Sequence, residues 1–210
     1  MAEIKTLLFD LGGVLVELSG VANMMSWSDL TEDEIWHRWT RSASVRKFES
    51  GGCSADDFSR QIVLEFALTV SPESFLDAFV AWPVPYPGAC DLLEHLSSRF
   101  TLACLSNTNH LHWQRFENET ELLSHFHITL PSHITGKVKP DAEVYYHALD
   151  VLDQKPESIF FMDDNQPNIE SARQAGIQAE LTRSLTGVVE NLEARGLLSG
   201  YTIPVAPGLQ

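Results

Sequence analysis

Three runs constrain the fold of this chain more than anything else in it: Leu7–Phe9, Leu102–Leu105 and Ile159–Met162. Each is continuously apolar, without the alternation of a strand that has one wet face. Such runs read as strands buried on both faces, the usual condition of a parallel sheet. His127–Leu130 and Ile177–Leu181 are shorter strand candidates. Helical patterns lie between them at Pro87–Ser97, Asn109–Asn118, Pro140–Asp150 and Asn168–Ala175, the last closed by Gly176. Pro at the first helical position and Gly after the last are ordinary helix punctuation. Strands alternating with helices predict an α/β protein with a parallel sheet and helices on both faces.

Residues 19–86 break that alternation. Thr31 with Glu34 and Ser54 with Asp57 fit capping boxes. Phe58, Ile62 and Phe66 recur every fourth residue, and Phe75, Phe79 and Trp82 mark a second stripe after Ser71-Pro72. The segment therefore reads as a small helical insertion after the first strand, its aromatics forming a core. Trp27, Trp36 and Trp39 are read as packing residues too, with sugar stacking as the alternative. Trp82–Gly88, rich in proline, is read as the turn that returns the chain to the sheet. The expected division is 1–18 with 87–210 as the main domain and 19–86 as the insertion. The tail, Gly200–Gln210, is expected to pack loosely.

The net charge of −15 over 210 residues argues against non-specific binding to nucleic acid or anionic membrane. An anionic substrate must then be held by a local positive site. No apolar stretch approaches the roughly 18 residues of a membrane span. Met1–Lys5 lacks a signal-peptide pattern, and Cys53, Cys90 and Cys104 lack metal-ligand spacing. The expectation is a cytoplasmic protein with reduced thiols, monomeric or homodimeric. Its partner is expected to be a small molecule and not nucleic acid or membrane.

Polar residues follow the strand runs directly. Asp10 ends the first, before Leu11-Gly12-Gly13. It reads either as a turn former or as a ligand-facing carboxylate at the carboxyl end of a strand, where open α/β sheets bind ligands. Ser106-Asn107 follows the second run and offers anion-binding groups, although both are also common turn residues. Lys139, before Pro140, is the candidate cation, whereas Lys137 reads as a solvated lysine. Asp163-Asp164 follows the third run. Adjacent acids there need a compensating cation or hydrogen bonds, and hard oxygen donors of this kind suit Mg²⁺. Helix capping is the simpler alternative. A carboxylate nucleophile, an anion-binding hydroxyl, a lysine and an acid pair at one sheet edge together match phosphoryl transfer.

In this order the motifs resemble those of the haloacid dehalogenase superfamily of hydrolases. The resemblance rests on Phe9–Leu15, Leu105-Ser106-Asn107, Lys139-Pro140 with Tyr145, and Asp163-Asp164 with Asn168, Ile169, Ala172 and Gly176. It implies a Rossmann-like core with the insertion as a cap. It also implies a Mg²⁺-dependent phosphatase working through an aspartyl-phosphate, closest to phosphatases of small sugar phosphates and to epoxide hydrolase amino-terminal phosphatase domains. Carried onto this chain, Asp10 is the nucleophile and a metal ligand, and the Gly12 carbonyl a second ligand. Asp164 binds metal directly, Asp163 directly or through water. Ser106, Asn107 and Lys139 hold the phosphoryl oxygens. The competing expectations are a 2-haloacid dehalogenase and a catalytically weak binding protein. Phosphatases of the superfamily usually carry an Asp where this chain has Gly12, and that Asp moves the proton. Here a cap carboxylate, His110, His112, water or the substrate is expected to do so.

Overall fold

The computed structural model describes residues 3–204. Its main sheet has five strands: β1 (Thr6–Phe9), β4 (Thr101–Ser106), β5 (Ile128–Pro131), β6 (Ile159–Asp163) and β7 (Gln178–Leu181). The order is β5-β4-β1-β6-β7, and every pairing is parallel. The three apolar runs are the three central strands, where both faces are covered. Because side chains alternate along a strand, Leu7, Phe9, Leu102, Cys104, Phe160 and Met162 enter one core. Leu8, Ala103, Leu105, Ile159 and Phe161 enter the other. Helices α6 (Ala89–Ser97), α7 (His110–Glu119) and α11 (Ser184–Ala194) pack on the first. Helices α9 (Ala142–Leu152) and α10 (Gln166–Gln174) pack on the second.

The insertion is helical as expected: α1 (Val21–Ser26), α2 (Glu32–Trp39), α3 (Ala43–Glu49), α4 (Ala55–Glu65) and α5 (Pro72–Phe79). Thr31 and Glu34 form a full capping box, and Ser42, Ser54 and Ser71 each accept a hydrogen bond from the third residue onward. These caps satisfy amide groups that the short helices leave unpaired. Phe48, Phe58, Ile62, Phe66, Phe75 and Phe79 form a separate buried cluster, with Phe48 stacked on Phe58 at 4.1 Å.

Several boundaries differ from expectation. The helix expected to open at Pro140 begins at Ala142, with Asp141 as its cap. Pro140 precedes it, across a cis peptide from Lys139. A further helix is the four-residue α8 (Ser132–Thr135). The proline-rich return is not all turn. Pro83–Pro85, β3, pairs antiparallel with Val16–Leu18, β2, so the two ends of the insertion meet in a two-stranded sheet. Proline is tolerated on such an edge because its missing N–H is not needed there. Helix α11 was not expected. The tail splits: Tyr201 and Ile203 pack against the first core, contrary to loose packing, and 205–210 lie outside the described residues. Among the described residues no helix is long and apolar enough to cross a membrane.

Candidate active site

Parallel strands run in one direction, so the residues that follow them collect at one edge. Asp10 follows β1, and Asp163 ends the neighbouring β6. Phe9 is in register with Met162, and the Asp10 N–H donates to the Met162 carbonyl at 2.9 Å. Carboxylate oxygens of Asp10, Asp163 and Asp164 consequently lie within 4.8 Å of one another.

Lys139 reaches this cluster from the loop before α9 and is 4 % exposed. Its Nζ lies 2.9 Å from Asp10 Oδ1 and 2.7 Å from Asp163 Oδ2. Its backbone is held at both ends by one side chain: the Lys139 N–H donates to Asn107 Oδ1, and Asn107 Nδ2 donates to the Lys139 carbonyl. Asn107 thus has a positioning role beyond the anion contact expected of it. Ser106 closes β4 beside it and is buried.

Asp163 and Asp164, adjacent in sequence, sit in different surroundings. Asp163 is fully buried and saturated: Asn165 N–H and Asn168 Nδ2 donate to Oδ1, while Lys139 and Asn168 reach Oδ2. Asn168 is itself anchored, its carbonyl accepting from the Tyr145 hydroxyl at 2.9 Å. Asp164 lines the cavity instead. Gly13 permits this. It has φ +71°, and a Cβ there would stand 2.3 Å from Asp164 Oδ2. Gly12 has no such conformational demand, and the nearest atom to a Cβ at Gly12 would be Leu18 Cδ1, at 3.1 Å.

Three carboxylates share one ammonium, and the electrostatics show the imbalance. Burial pushes Asp10 up to about 8, against the pull of Lys139 and with Asp163 and Asp164 adding to the rise. Burial and Asp163 lift Asp164 to about 6. For Lys139, burial acts downward, but Asp10 and Asp163 outweigh it and hold the ammonium above its ordinary range. An excess of buried, hard oxygen donors fits a divalent cation such as Mg²⁺. Asp10 and Asp164 line the cavity and could hold one, whereas Asp163 is already committed to its neighbours.

A cavity of about 660 Å³ opens over the cluster. Asp10, Asn107, Lys139, Asp164, Asn165 and Asn168 line it from the sheet edge. Trp39, Arg41, Ser42, Arg46 and Glu49 line it from the insertion. Arg46 also pairs with Asp141, tying α3 to the cap of α9. Glu49 was not singled out from the sequence, where a helix-terminal Glu followed by Ser50 and two glycines carries no signal. Burial pushes its carboxyl up to about 7, against Lys139 and Arg46.

His112, an expected proton carrier, is unsuited to that role. Its Nε2 lies 2.8 Å from the Phe79 carbonyl and its Nδ1 3.1 Å from Asn109 Nδ2. His110 packs edge-on against Phe48. Neither lines the cavity. Cys104, buried in the sheet, has its thiol pushed up to about 12 by burial and is chemically inert.

Residues 4–176 match the haloacid dehalogenase-like hydrolase family. A phosphoglycolate phosphatase of Aquifex aeolicus is 25% identical over 188 residues, covering 84% of each chain. Bifunctional epoxide hydrolase 2 of Rattus norvegicus is 33% identical over 87 residues, which are 41% of this chain and 15% of that protein. The chain thus matches only a small part of the epoxide hydrolases it resembles. Among solved structures, a HAD family enzyme from Bacteroides thetaiotaomicron, in complex with magnesium and inorganic phosphate, superposes with a TM-score of 0.69 at 25% identity. That match covers 86% of this chain and 94% of the other.

Proposed function

The chain belongs to the haloacid dehalogenase-like hydrolase family, and from that premise we propose that it is a Mg²⁺-dependent phosphatase of a small phosphorylated metabolite, with a sugar phosphate as the expected class. The observation that carries this reading is the acid cluster itself: three carboxylates around one buried lysine, at the floor of a cavity large enough for a small metabolite. A dehalogenase needs no metal and leaves Asp164 without a task. The magnesium and phosphate bound by the Bacteroides relative and the activity named for the Aquifex relative point the same way.

In this reading Asp10 attacks phosphorus. Leu11 N–H and Lys139 both bind Oδ1, which aims the carboxylate and leaves Oδ2 to react. Attack displaces the alcohol and leaves an aspartyl-phosphate, which water hydrolyses. Lys139, Ser106 and the second amide hydrogen of Asn107 hold phosphoryl oxygens. Asp163, fixed by Asn168 and Asn165, holds the Lys139 ammonium in place and keeps it charged. Asp10, Asp164 and the Gly12 carbonyl would hold Mg²⁺, with Asp163 acting through Lys139 or a water. The metal, when bound, offsets the repulsion between a carboxylate and a phosphate dianion. Residues 19–86 serve as the cap over this site, on a core of 1–18 and 87–210.

The test is hydrolysis of p-nitrophenyl phosphate and a panel of metabolite phosphates, with and without Mg²⁺, beside chloride release from 2-chloropropionate. Mg²⁺-dependent phosphate release that Asp10→Asn abolishes is expected. Metal-independent chloride release overturns the reading in favour of a dehalogenase. Inactivity on the whole panel overturns it in favour of a binding protein.

A further inference from the structure

Gly12 leaves proton transfer without an owner, and Glu49 is an ionisable group that the mechanism above does not use. It is the last residue of α3 and lines the same cavity as Asp10, Lys139 and Asp164. Its place is set by the core, not by the insertion alone. Ser132 Oγ lies 2.6 Å from the Glu49 carbonyl and 3.0 Å from the Thr108 carbonyl, and it accepts from the Thr108 N–H at 2.9 Å. Thr108 follows Ser106 and Asn107, so the end of α3 is pinned to the loop that carries the expected phosphate-binding residues. Two residues on, Gly51 adopts φ +74° and lies so close to the core that a Cβ would stand 2.5 Å from the His133 carbonyl. Arg46, one turn earlier on α3, adds its pairing with Asp141.

With its backbone held, the Glu49 carboxyl makes no hydrogen bond or ion pair among the described residues. Lys139 and Arg46 are near enough to act on its charge. Its burial places it near neutrality, where a carboxyl both gives and takes a proton efficiently.

We propose that Glu49 is the general acid and base of the hydrolysis, supplying from the insertion the proton transfer that Gly12 has no side chain to perform. The assignment rests on the phosphatase reading. In the first step Asp10 Oδ2 bonds to phosphorus as the bond to the leaving oxygen breaks, and that oxygen takes the proton of the Glu49 carboxyl. The alcohol departs and Glu49 is left as a carboxylate. In the second step Glu49 takes a proton from water as the water oxygen bonds to phosphorus. The phosphorus–Asp10 bond breaks, and phosphate leaves with Asp10 and Glu49 in their starting states.

The experiment compares wild type with Glu49→Gln on p-nitrophenyl phosphate, whose leaving group needs no proton, and phenyl phosphate, whose leaving group does. The loss of kcat/KM on phenyl phosphate is expected to exceed that on p-nitrophenyl phosphate by about 10²-fold or more. With the base gone from the second step, the variant also shows a burst of p-nitrophenolate stoichiometric with enzyme. Adding Gly12→Asp to Glu49→Gln restores the phenyl phosphate reaction. Equal losses on both esters without a burst, or no loss, overturn the assignment while leaving the phosphatase reading intact. A wild type inactive on every phosphate ester with Mg²⁺ overturns both. If Glu49→Gln does not fold, the wild type decides: a general acid keeps its two kcat/KM values close, and a fall on phenyl phosphate of about 10²-fold or more, the size of a missing acid–base contribution, refutes one.

Discussion

His112, on α7, joins that helix to the end of α5 through the Phe79 carbonyl, and its titration makes that joint sensitive to acid. The Asn109 side chain determines the tautomer. Asn109 Oδ1 caps α7, accepting from the N–H groups of Leu111 and His112, so the amide cannot flip. Its Nδ2 must then donate to His112 Nδ1, which leaves the proton on Nε2 to donate to the Phe79 carbonyl at 2.8 Å. Protonating Nδ1 would set two donors against each other. Burial accordingly pulls the imidazole from 6.5 down to about 4, with Arg115 and His110 contributing against the Phe79 carbonyl. The folded pKa lies below the unfolded one, so the unfolded chain takes the proton first. The stability this confers is complete above the unfolded pKa and is lost as pH falls. Linkage gives a loss of about 2 kcal/mol by pH 5 and about 3 kcal/mol by pH 4. Other carboxyls titrate in this window, so the difference from His112→Gln isolates the effect. At pH 7 the variant is expected to be about 1–3 kcal/mol less stable, because one flexible amide does not replace both ring contacts, to the Phe79 carbonyl and to Asn109 Nδ2. By pH 4 it matches or exceeds wild type. Urea denaturation of both proteins at pH 7, 5 and 4 measures this. A deficit that does not change with pH refutes the tautomer argument.

Gly12→Asp should fold, because Gly12 has an ordinary φ and the crowded neighbour is one flexible methyl of Leu18. With Glu49 still supplying the proton, its turnover of phenyl phosphate and of p-nitrophenyl phosphate should change alike, and steady-state kinetics on the pair measures this; a selective gain on phenyl phosphate would show that the wild type lacks a general acid. Gly13→Ala should behave oppositely. The left-handed backbone costs about 1–2 kcal/mol, read as a fall in Tm, and the methyl group displaces Asp164. Mg²⁺ titration by calorimetry should show affinity lost; unchanged affinity would remove Asp164 from the metal site.

The amino-acid sequence alone determines the sheet and the edge at which its chemistry sits. Leu7–Phe9, Leu102–Leu105 and Ile159–Met162 are too apolar for any place except the middle of a covered sheet, and parallel strands must deliver Asp10, Ser106 and Asp163 to the same edge. Helix α11 and the pairing of β2 with β3 escaped the sequence, the latter because two prolines in three residues read locally as a turn. Only the tertiary structure separated Asp163 from Asp164. Adjacent acids at the end of one strand are chemically alike, and only their neighbours, Asn168 and Lys139 for one and Gly13 and the cavity for the other, give them different tasks. The same holds for the histidines and Glu49. His112 is an ordinary titratable group until Asn109 and Phe79 occupy both its nitrogens. Glu49 is an ordinary helix-end acid until Ser132 and Gly51 dock it on the core. A local pattern encodes where the chain is apolar. Which polar groups find partners, and which face a cavity without one, depends on contacts between residues far apart in the chain.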